Sequence, residues 1–336
     1  MRILPSLLSE LPPAESEFEQ LVFDFCQLWK SGGQEFLFHS SGSTGEPKPI
    51  YLSREQLYFS ATMTGDWLHL EKGDVALLSL SPSYIAGAMV LVRALVHDLS
   101  LILVEPCQNP LLQIPSTPIH LASFVPTQWS TLLDSGIDLN SYFKEAKGIL
   151  LGGAAISDLL RKDYGFPVYE TYGMTETVSH IAFRTWEQTE FQILHGVQIA
   201  QNEENCLLIC APMTENKWIE TRDVVELTSP GKFKLFGRLD RVINTGGIKV
   251  QPEKIEQAYR SICNLPLFVA GIPDEFWVQK VVLFVESEEM PVLPSLDHLL
   301  VSHEVPKEIV CLPSFIKTAS DKIDALKTVA LYLNSQ

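Results

Sequence analysis

No apolar run in this chain approaches the length of a membrane span. The longest, such as Leu99 to Val104 and Val281 to Val285, fall far short of the roughly 20 residues a helix needs to cross a bilayer, so no membrane insertion is expected. Cationic side chains are also few: 25 Lys and Arg stand against 41 Asp and Glu, for a formal net charge of -16. Such a chain offers no broad positive field to nucleic acid or to an anionic membrane, and any small anion it binds must meet local donors. Cysteine is sparse and scattered. The closest pair, Cys206 and Cys210, flanks Leu207-Leu208-Ile209, a spacing that suits neither a zinc knuckle nor a redox pair, so all six cysteines read as core thiols. A secretory signal is not apparent either, because Pro5 interrupts the first apolar stretch and acidic residues follow at once, which points to the cytoplasm. There is no internal repeat and no low-complexity tract.

What the chain does have is apolar content: 46% of its 336 residues are hydrophobic and 20% charged, enough for a large domain and a smaller one. Phe18, Leu21, Val22, Phe25, Leu28 and Trp29 recur at helical spacing over residues 15–30, and Gly32-Gly33 ends the segment. From there short apolar runs alternate with helical stretches. Strands are expected near residues 75–80, 99–104, 120–125 and 148–151, with helices near 86–96 and after Thr127, an alternation that defines an α/β fold. Between Gln192 and Phe236 short strands separated by turn residues predict an antiparallel subdomain. Beyond Gly237 lies a compact α+β unit: a helix opened by Pro252, strands at residues 267–272 and 280–286, and a last helix over 324–333. The expected division is 1–239 and 240–336.

The stretch richest in chemistry is Phe36 to Ile50. Its core, Ser41-Gly42-Ser43-Thr44-Gly45-Glu46-Pro47-Lys48, concentrates hydroxyls, glycines and a lysine, the donors that wrap phosphate oxygens. A polar hairpin turn would also use Gly and Ser. Pro47 and Pro49 flank Lys48 and prevent a helix from starting there, so this is not the common nucleotide loop, and it is expected to join strands at 36–39 and 49–52. A second cluster, Tyr172-Gly173-Met174-Thr175-Glu176, delivers a ring, a hydroxyl and a carboxylate at the end of a short strand. The small residues Gly152-Gly153-Ala154 follow an apolar strand and allow a planar base to approach the backbone.

These segments, together with Thr221-Arg222-Asp223, the run Gly237-Arg238-Leu239-Asp240 to Glu256 and the segment Pro313 to Asp324, resemble in order the signature motifs of the adenylate-forming superfamily of acyl-CoA synthetases. The likeness reaches from about residue 36 to 327. It implies a ligase that couples ATP and Mg²⁺ to a small carboxylic acid, forming an acyl-AMP and then an acyl-CoA on coenzyme A. By that resemblance Ser41, Gly42, Ser43, Thr44, Gly45 and Lys48 hold phosphate, and Gly152, Gly153 and Ala154 line the adenine side. Tyr172 and Gly173 meet adenine, Thr175 touches the α-phosphate, and Glu176 holds Mg²⁺ through the oxygen such an ion prefers. Asp223 accepts from the ribose hydroxyls, Arg238 supports ribose and phosphate, and Asp240 is a hinge. Gly246 and Gly247 lie where the pantetheine arm enters, although on their own they read equally as a hairpin turn. Lys322 is the catalytic lysine, an ammonium that stabilises charge building at the α-phosphate.

The acyl pocket is expected from residues 81–87, 124–127 and those following Glu176. Tyr84, Gly87, Arg93 and His180, with the Gly173 to His180 string, resemble compact bacterial o-succinylbenzoate-CoA ligases. That acid carries a second carboxylate, for which Arg93, His180 and Arg54 are candidate donors, and each also reads as a satisfied structural residue. Another small acid, a carrier-protein acceptor, or a silent nucleotide-binding regulator are the rival readings. The chain departs from the family pattern in having fewer residues before the phosphate loop, so the large domain is expected to be abridged. It departs again in Arg222 and Asp321, both where glycine is usual. A carboxylate beside Lys322 blunts its field. Asp321→Gly is therefore expected to keep or raise the rate of acid-dependent pyrophosphate exchange, and a large loss would show that Asp321 has another role.

Overall fold

The computed structural model describes residues 2–3, 13–39, 49–154, 156, 160–294, 296, 299–318 and 323–334. The first helix, Glu17–Lys30, starts where the Ser16 side chain accepts from the Glu19 N–H, and it buries Phe18, Val22, Cys26 and Trp29 on one face. Burial pushes the Cys26 thiol up to about 12, as befits a core thiol. Next, the strands Glu35–His39 and Pro49–Ser53 pair antiparallel, His39 opposite Pro49, so the phosphate-loop sequence does join two strands. Ser53 and Gln56 then form a reciprocal cap on the helix Arg54–Leu68.

A 12-stranded sheet carries the rest of the first two thirds of the chain. At its centre Ser100–Leu103, Val75–Leu78, Leu121–Phe124, Gly148–Leu151 and Val168–Gly173 run parallel in that order. Their near-continuous apolar sequences reflect burial on both faces. Ala76, Leu78, Leu101, Leu103 and Leu150 belong to one core cluster, and Val75, Leu77, Ile102, Ile149 and Leu151 to another, the period-2 alternation of a strand distributing them to opposite faces. The helix Ile85–Val96 packs on the first face, with eight of its residues buried, and Pro126–Asp134 supplies Trp129 and Leu132 to the second.

The stretch 192–236 is antiparallel, as its turn-rich pattern indicates, but it continues the same sheet. His180–Arg184 pairs antiparallel with Val168–Gly173, and the path runs on through Phe191–Ile193, Lys232–Arg238, Ile219–Ser229, Cys206–Cys210 and Gln198–Gln201. A second sheet of five strands begins only at Ile243–Thr245. It holds Ile248–Val250, Val278–Glu286, Leu267–Asp274 and a parallel strand, Glu308–Leu312, the last of which the sequence pattern does not single out. Here too alternation divides the core: Val281, Leu283 and Val285 pack toward the helix Pro252–Arg260, while Val282 and Phe284 face the side of the last helix, Ala325–Asn334. Among the described residues no helix is long and apolar enough to cross a membrane.

Phe284 is fully buried and stacks on Phe268 with ring centroids 4.8 Å apart. Phe284→Ala is expected to cost about 3–5 kcal/mol, measured by urea unfolding, with the loss falling on the unit that carries the second sheet.

Candidate active site

Open α/β sheets bind ligands beyond the carboxyl ends of their parallel strands. Four sequence segments singled out above lie there. Residues 81–87 follow Val75–Leu78, residues 125–127 follow Leu121–Phe124, Gly152-Gly153-Ala154 follow Gly148–Leu151, and Thr175–Thr177 follows Val168–Gly173, on neighbouring strands. The fold thus gathers stretches spread over about a hundred residues onto one edge.

Beside that edge Tyr172, Asp223, Arg238 and Asp240 form one hydrogen-bonded chain. The Tyr172 hydroxyl donates to Asp223 Oδ2 at 2.5 Å, and Arg238 Nη1 donates to Asp223 Oδ1 at 3.2 Å. Arg238 also grips Asp240, Nε to Oδ1 at 3.0 Å and Nη2 to Oδ2 at 2.8 Å. Asp223 and Arg238 face each other across the ladder. Tyr172, however, lies four strand positions from Asp223 in the sheet order. In a flat sheet that is about 19 Å at ~4.8 Å per step, so the antiparallel half must curl back over the tyrosine. Its ring is enclosed by Phe191 and Phe233, with centroids at 5.7 and 5.2 Å. Burial, and then the Asp223 charge, push the Tyr172 phenol well above its ordinary value. The Arg238 hydrogen bond holds Asp240 below the usual carboxylate range. Arg222, in the position where glycine is usual, points to solvent near Glu204 at 3.6 Å and leaves Asp223 buried.

The turn Thr175–Thr177 is fixed by a hydroxyl the sequence reading passed over. Thr177 is fully buried; its Oγ1 accepts from Met174 N at 3.0 Å and contacts the Met174 and Ser179 carbonyls at 3.0 and 2.9 Å. Val178 follows at φ 66° and ψ -55°, the centre of a three-residue turn in which the Ser179 N–H donates to the Thr177 carbonyl at 2.7 Å, a strained conformation for a β-branched residue. Thr175 is buried and Glu176 exposed, and among the described residues nothing is bonded to the Glu176 carboxylate. That leaves an oxygen donor of the kind a hard cation takes. Gly173, at the start of this turn, packs against the Ser179 carbonyl.

Arg93 and His180 adjoin one another beneath the turn. Arg93 is 2% exposed, and its Nη2 donates to Ser179 Oγ at 2.8 Å. Its Nε has no partner and no carboxylate pairs with it among the described residues. Burial holds the guanidinium down to about 9. His180 contacts Thr64 Oγ1 through Nε2 at 2.9 Å and Ser179 Oγ through Nδ1 at 3.3 Å. Burial, with Arg93 beside it, depresses the imidazole well below its ordinary value. Gly87 is buried in the first turn of the Arg93 helix, and Tyr84 precedes that helix, partly exposed. Ser179 and Thr64 complete this group; their small hydroxyl side chains gave no signal in the sequence. Arg54 does not join it. Its Nη1 donates to the Trp29 carbonyl at 2.5 Å and its guanidinium covers the Trp29 ring at 4.1 Å, so it closes the end of the first helix and is a structural residue.

Gly246 and Gly247 make the two-residue turn between Ile243–Thr245 and Ile248–Val250, with φ of 59° and 82°, a hairpin that demands left-handed residues. The phosphate-loop residues Ser41, Gly42, Ser43, Thr44, Gly45 and Lys48, and the pair Asp321 and Lys322, lie outside the described residues. Their flanks are held: His39 opposite Pro49, and Lys317 bridged to Ile323.

Residues 33–204 match the AMP-binding enzyme family. The chain belongs to that family, and its class is that of the AMP-forming acid–CoA ligases. It is 33% identical to an acyl-CoA synthetase (AMP-forming)/AMP-acid ligase II-like protein from Dyadobacter fermentans, whose crystal structure matches with a TM-score of 0.67 over 98% of this chain and 99% of that one. The two chains thus match over nearly all of each. A 2-succinylbenzoate–CoA ligase of Listeria monocytogenes is 24% identical over 94% of this chain and 73% of its own length. The o-succinylbenzoate CoA synthetase of Bacillus subtilis, solved with an acyl-adenylate intermediate, shares the fold with a TM-score of 0.75 at 23% identity, over 87% of this chain and 68% of that one.

Because His180 stays neutral in the fold while an unfolded histidine takes up a proton below about pH 6.5, the unfolded state binds more protons there. Stability from this group is complete above about pH 6.5 and falls by about 1.4 kcal/mol per unit as pH drops below it toward the depressed folded value. Urea unfolding between pH 7.5 and 5.5 should show that extra loss in the wild type and not in His180→Gln.

Proposed function

We propose that this enzyme converts o-succinylbenzoate to o-succinylbenzoyl-CoA in the cytoplasm, by way of the acyl-adenylate. The observation that carries the choice of acid is Arg93, a buried guanidinium with no carboxylate partner among the described residues. Burying such a charge unpaired is costly, so an anion belongs beside it. The attacking carboxylate has its place at the α-phosphate, next to Thr175. A substrate that also satisfies Arg93 therefore needs a second carboxylate, and o-succinylbenzoate has one. Neutral His180 and Ser179 offer further hydrogen bonds on the same side. The relatives named for this acid support the reading.

In the first step the carboxylate attacks the α-phosphorus of Mg-ATP and pyrophosphate leaves. Thr175 contacts the α-phosphate, Glu176 supplies an oxygen to Mg²⁺, and Asp223 and Arg238 take the ribose. The residues of 41–48 bind the departing phosphates, and Lys322 supplies positive charge that counts most in the transition state. In the second step the thiol of coenzyme A, reaching past Gly246-Gly247, attacks the mixed anhydride and AMP leaves. Both Lys322 and the glycine turn belong to the unit 240–336, so that unit turns about Asp240 between steps.

Incubation with Mg-ATP, coenzyme A and a panel of carboxylic acids, read by mass spectrometry, tests this directly. The diacid is expected to give acyl-AMP and acyl-CoA, and Lys322→Ala to lose adenylation. Arg93→Met should lower kcat/KM for o-succinylbenzoate by about 10- to 100-fold, the size of a lost charged hydrogen bond, with a smaller effect on benzoate. A different preferred acid would remove o-succinylbenzoate while leaving the ligase chemistry in place. ATP binding without any adenylate would mark a silent regulator.

A further inference from the structure

The two sheets meet at a carboxylate with no role in the chemistry above. Glu253 lies in the first turn of the helix Pro252–Arg260. Its Oε1 accepts from the Arg238 backbone N–H at 3.3 Å and from Arg241 Nη1 at 3.0 Å, so a single oxygen holds residues on both sides of Asp240. Arg241 in turn donates to Glu256, which accepts from the Val269 N–H at 2.9 Å, carrying the contact into the core of the small sheet. The neighbouring Lys254 instead pairs with Glu304 at 2.7 Å, inside the small unit.

The opposite partner of Glu253 is an absence of side chain. A Cβ on Gly237 would stand 2.3 Å from Glu253 Oε2 and 3.1 Å from Gln251 Oε1. Gly237, at φ 148°, is thus the seat that lets the carboxylate lie over the last strand of the large sheet. Oε2 is buried there and meets no hydrogen-bond donor among the described residues, and neither does Gln251 Oε1. An ion pair on one oxygen with an unsatisfied acceptor on the other gives a contact that holds yet is cheap to release, because the orphaned oxygen regains water when the surfaces part.

We propose that Glu253 is a positioning residue of the reaction: seated on Gly237, it latches the small unit to the end of the large sheet in one of the two arrangements and sets the balance between them. This rests on the rotation about Asp240 proposed above.

The test measures the two half-reactions separately in Glu253→Ala, Gly237→Ala, Glu253→Gln and Asp240→Pro, after urea unfolding has shown each variant folded. Pyrophosphate exchange with o-succinylbenzoate reports the first; release of thioester from the preformed adenylate and coenzyme A reports the second. Hydrogen exchange of peptides spanning 236–242, with no substrate present, is followed alongside. Both alanine variants are expected to change the ratio of the half-rates in the same direction by about fivefold, the scale of one lost ion pair, and to speed exchange at 236–242. Glu253→Gln, which keeps an acceptor for Arg238 and Arg241 but loses the charge, should fall between the wild type and Glu253→Ala. Faster exchange with an unchanged ratio would make the contact structural only and overturn the latch, as would unchanged exchange. If Asp240→Pro keeps both half-reactions at full rate, the rotation itself is wrong and the latch falls with it. If the wild type makes no adenylate from o-succinylbenzoate, the choice of acid fails, and the ratio is read instead with the acid of the panel that does give adenylate; if no acid does, the latch falls with the ligase reading.

Discussion

The Asp223 carboxylate is the point on which the rest of the site depends. One of its oxygens accepts from Tyr172 on the last parallel strand and the other from Arg238 on the strand paired with its own. Those strands are far apart in the sheet order, and the aspartate closes the curl that brings them together. Phe191 and Phe233 stack inside that curl, which keeps Asp223 away from bulk water and strengthens each bond to it. Since Arg238 also holds Asp240, the same network runs from the carboxyl edge of the parallel strands to the segment where the large sheet ends. On the function proposed above, a nucleotide ribose would meet at Asp223 donors that are already oriented, and its binding would be felt at Asp240 through Arg238 without any relay through the core.

The skeleton of this arrangement was legible in the sequence because strands buried on both faces have little choice of residues. Val75 to Leu78 and Gly148 to Leu151 are apolar throughout, and the helices between them carry the 3.6-residue period. The two strands Glu35–His39 and Pro49–Ser53 were legible for another local reason, the prolines flanking Lys48, which forbid a helix between them. What could not be read was set by tertiary contact. The turn-rich stretch after Gln192 looked self-contained, yet Phe191–Ile193 finds its partners in His180–Arg184 and Lys232–Arg238, pairings that no local pattern encodes. The parallel strand Glu308–Leu312 is only five residues long with Val310 alone buried, and its place at an edge of the sheet is set by its pairing with Val278–Glu286.

Among the candidate site residues the same division holds. Asp223, Arg238 and Asp240 stand out by motif and prove to be in contact. Arg93 and Arg54, by contrast, look alike as isolated cations in a sequence. Only packing separates them: Arg54 caps the end of a helix against a tryptophan, while Arg93 is sealed under the Thr175–Thr177 turn with a hydroxyl as its partner. Thr177 and Ser179 went unremarked because their importance lies in the backbone groups and the guanidinium they hold. For Tyr172 the structure adds what a motif does not show: its ring packs against Phe191 and Phe233 and its hydroxyl holds Asp223.

The order of strands along the chain has a consequence for biosynthesis. Every strand of the large sheet lies at or before Arg238, and every strand of the small one lies at or after Ile243. As the chain leaves the ribosome, the larger unit therefore has all of its pairing partners before the first strand of the smaller one is made. Domains generally fold as units in this amino-to-carboxyl order. The curled half, with its long-range aromatic contacts, gains the duration of about a hundred further residues of translation, several seconds at typical rates, in which to close before a second hydrophobic core is present to compete for its exposed edges.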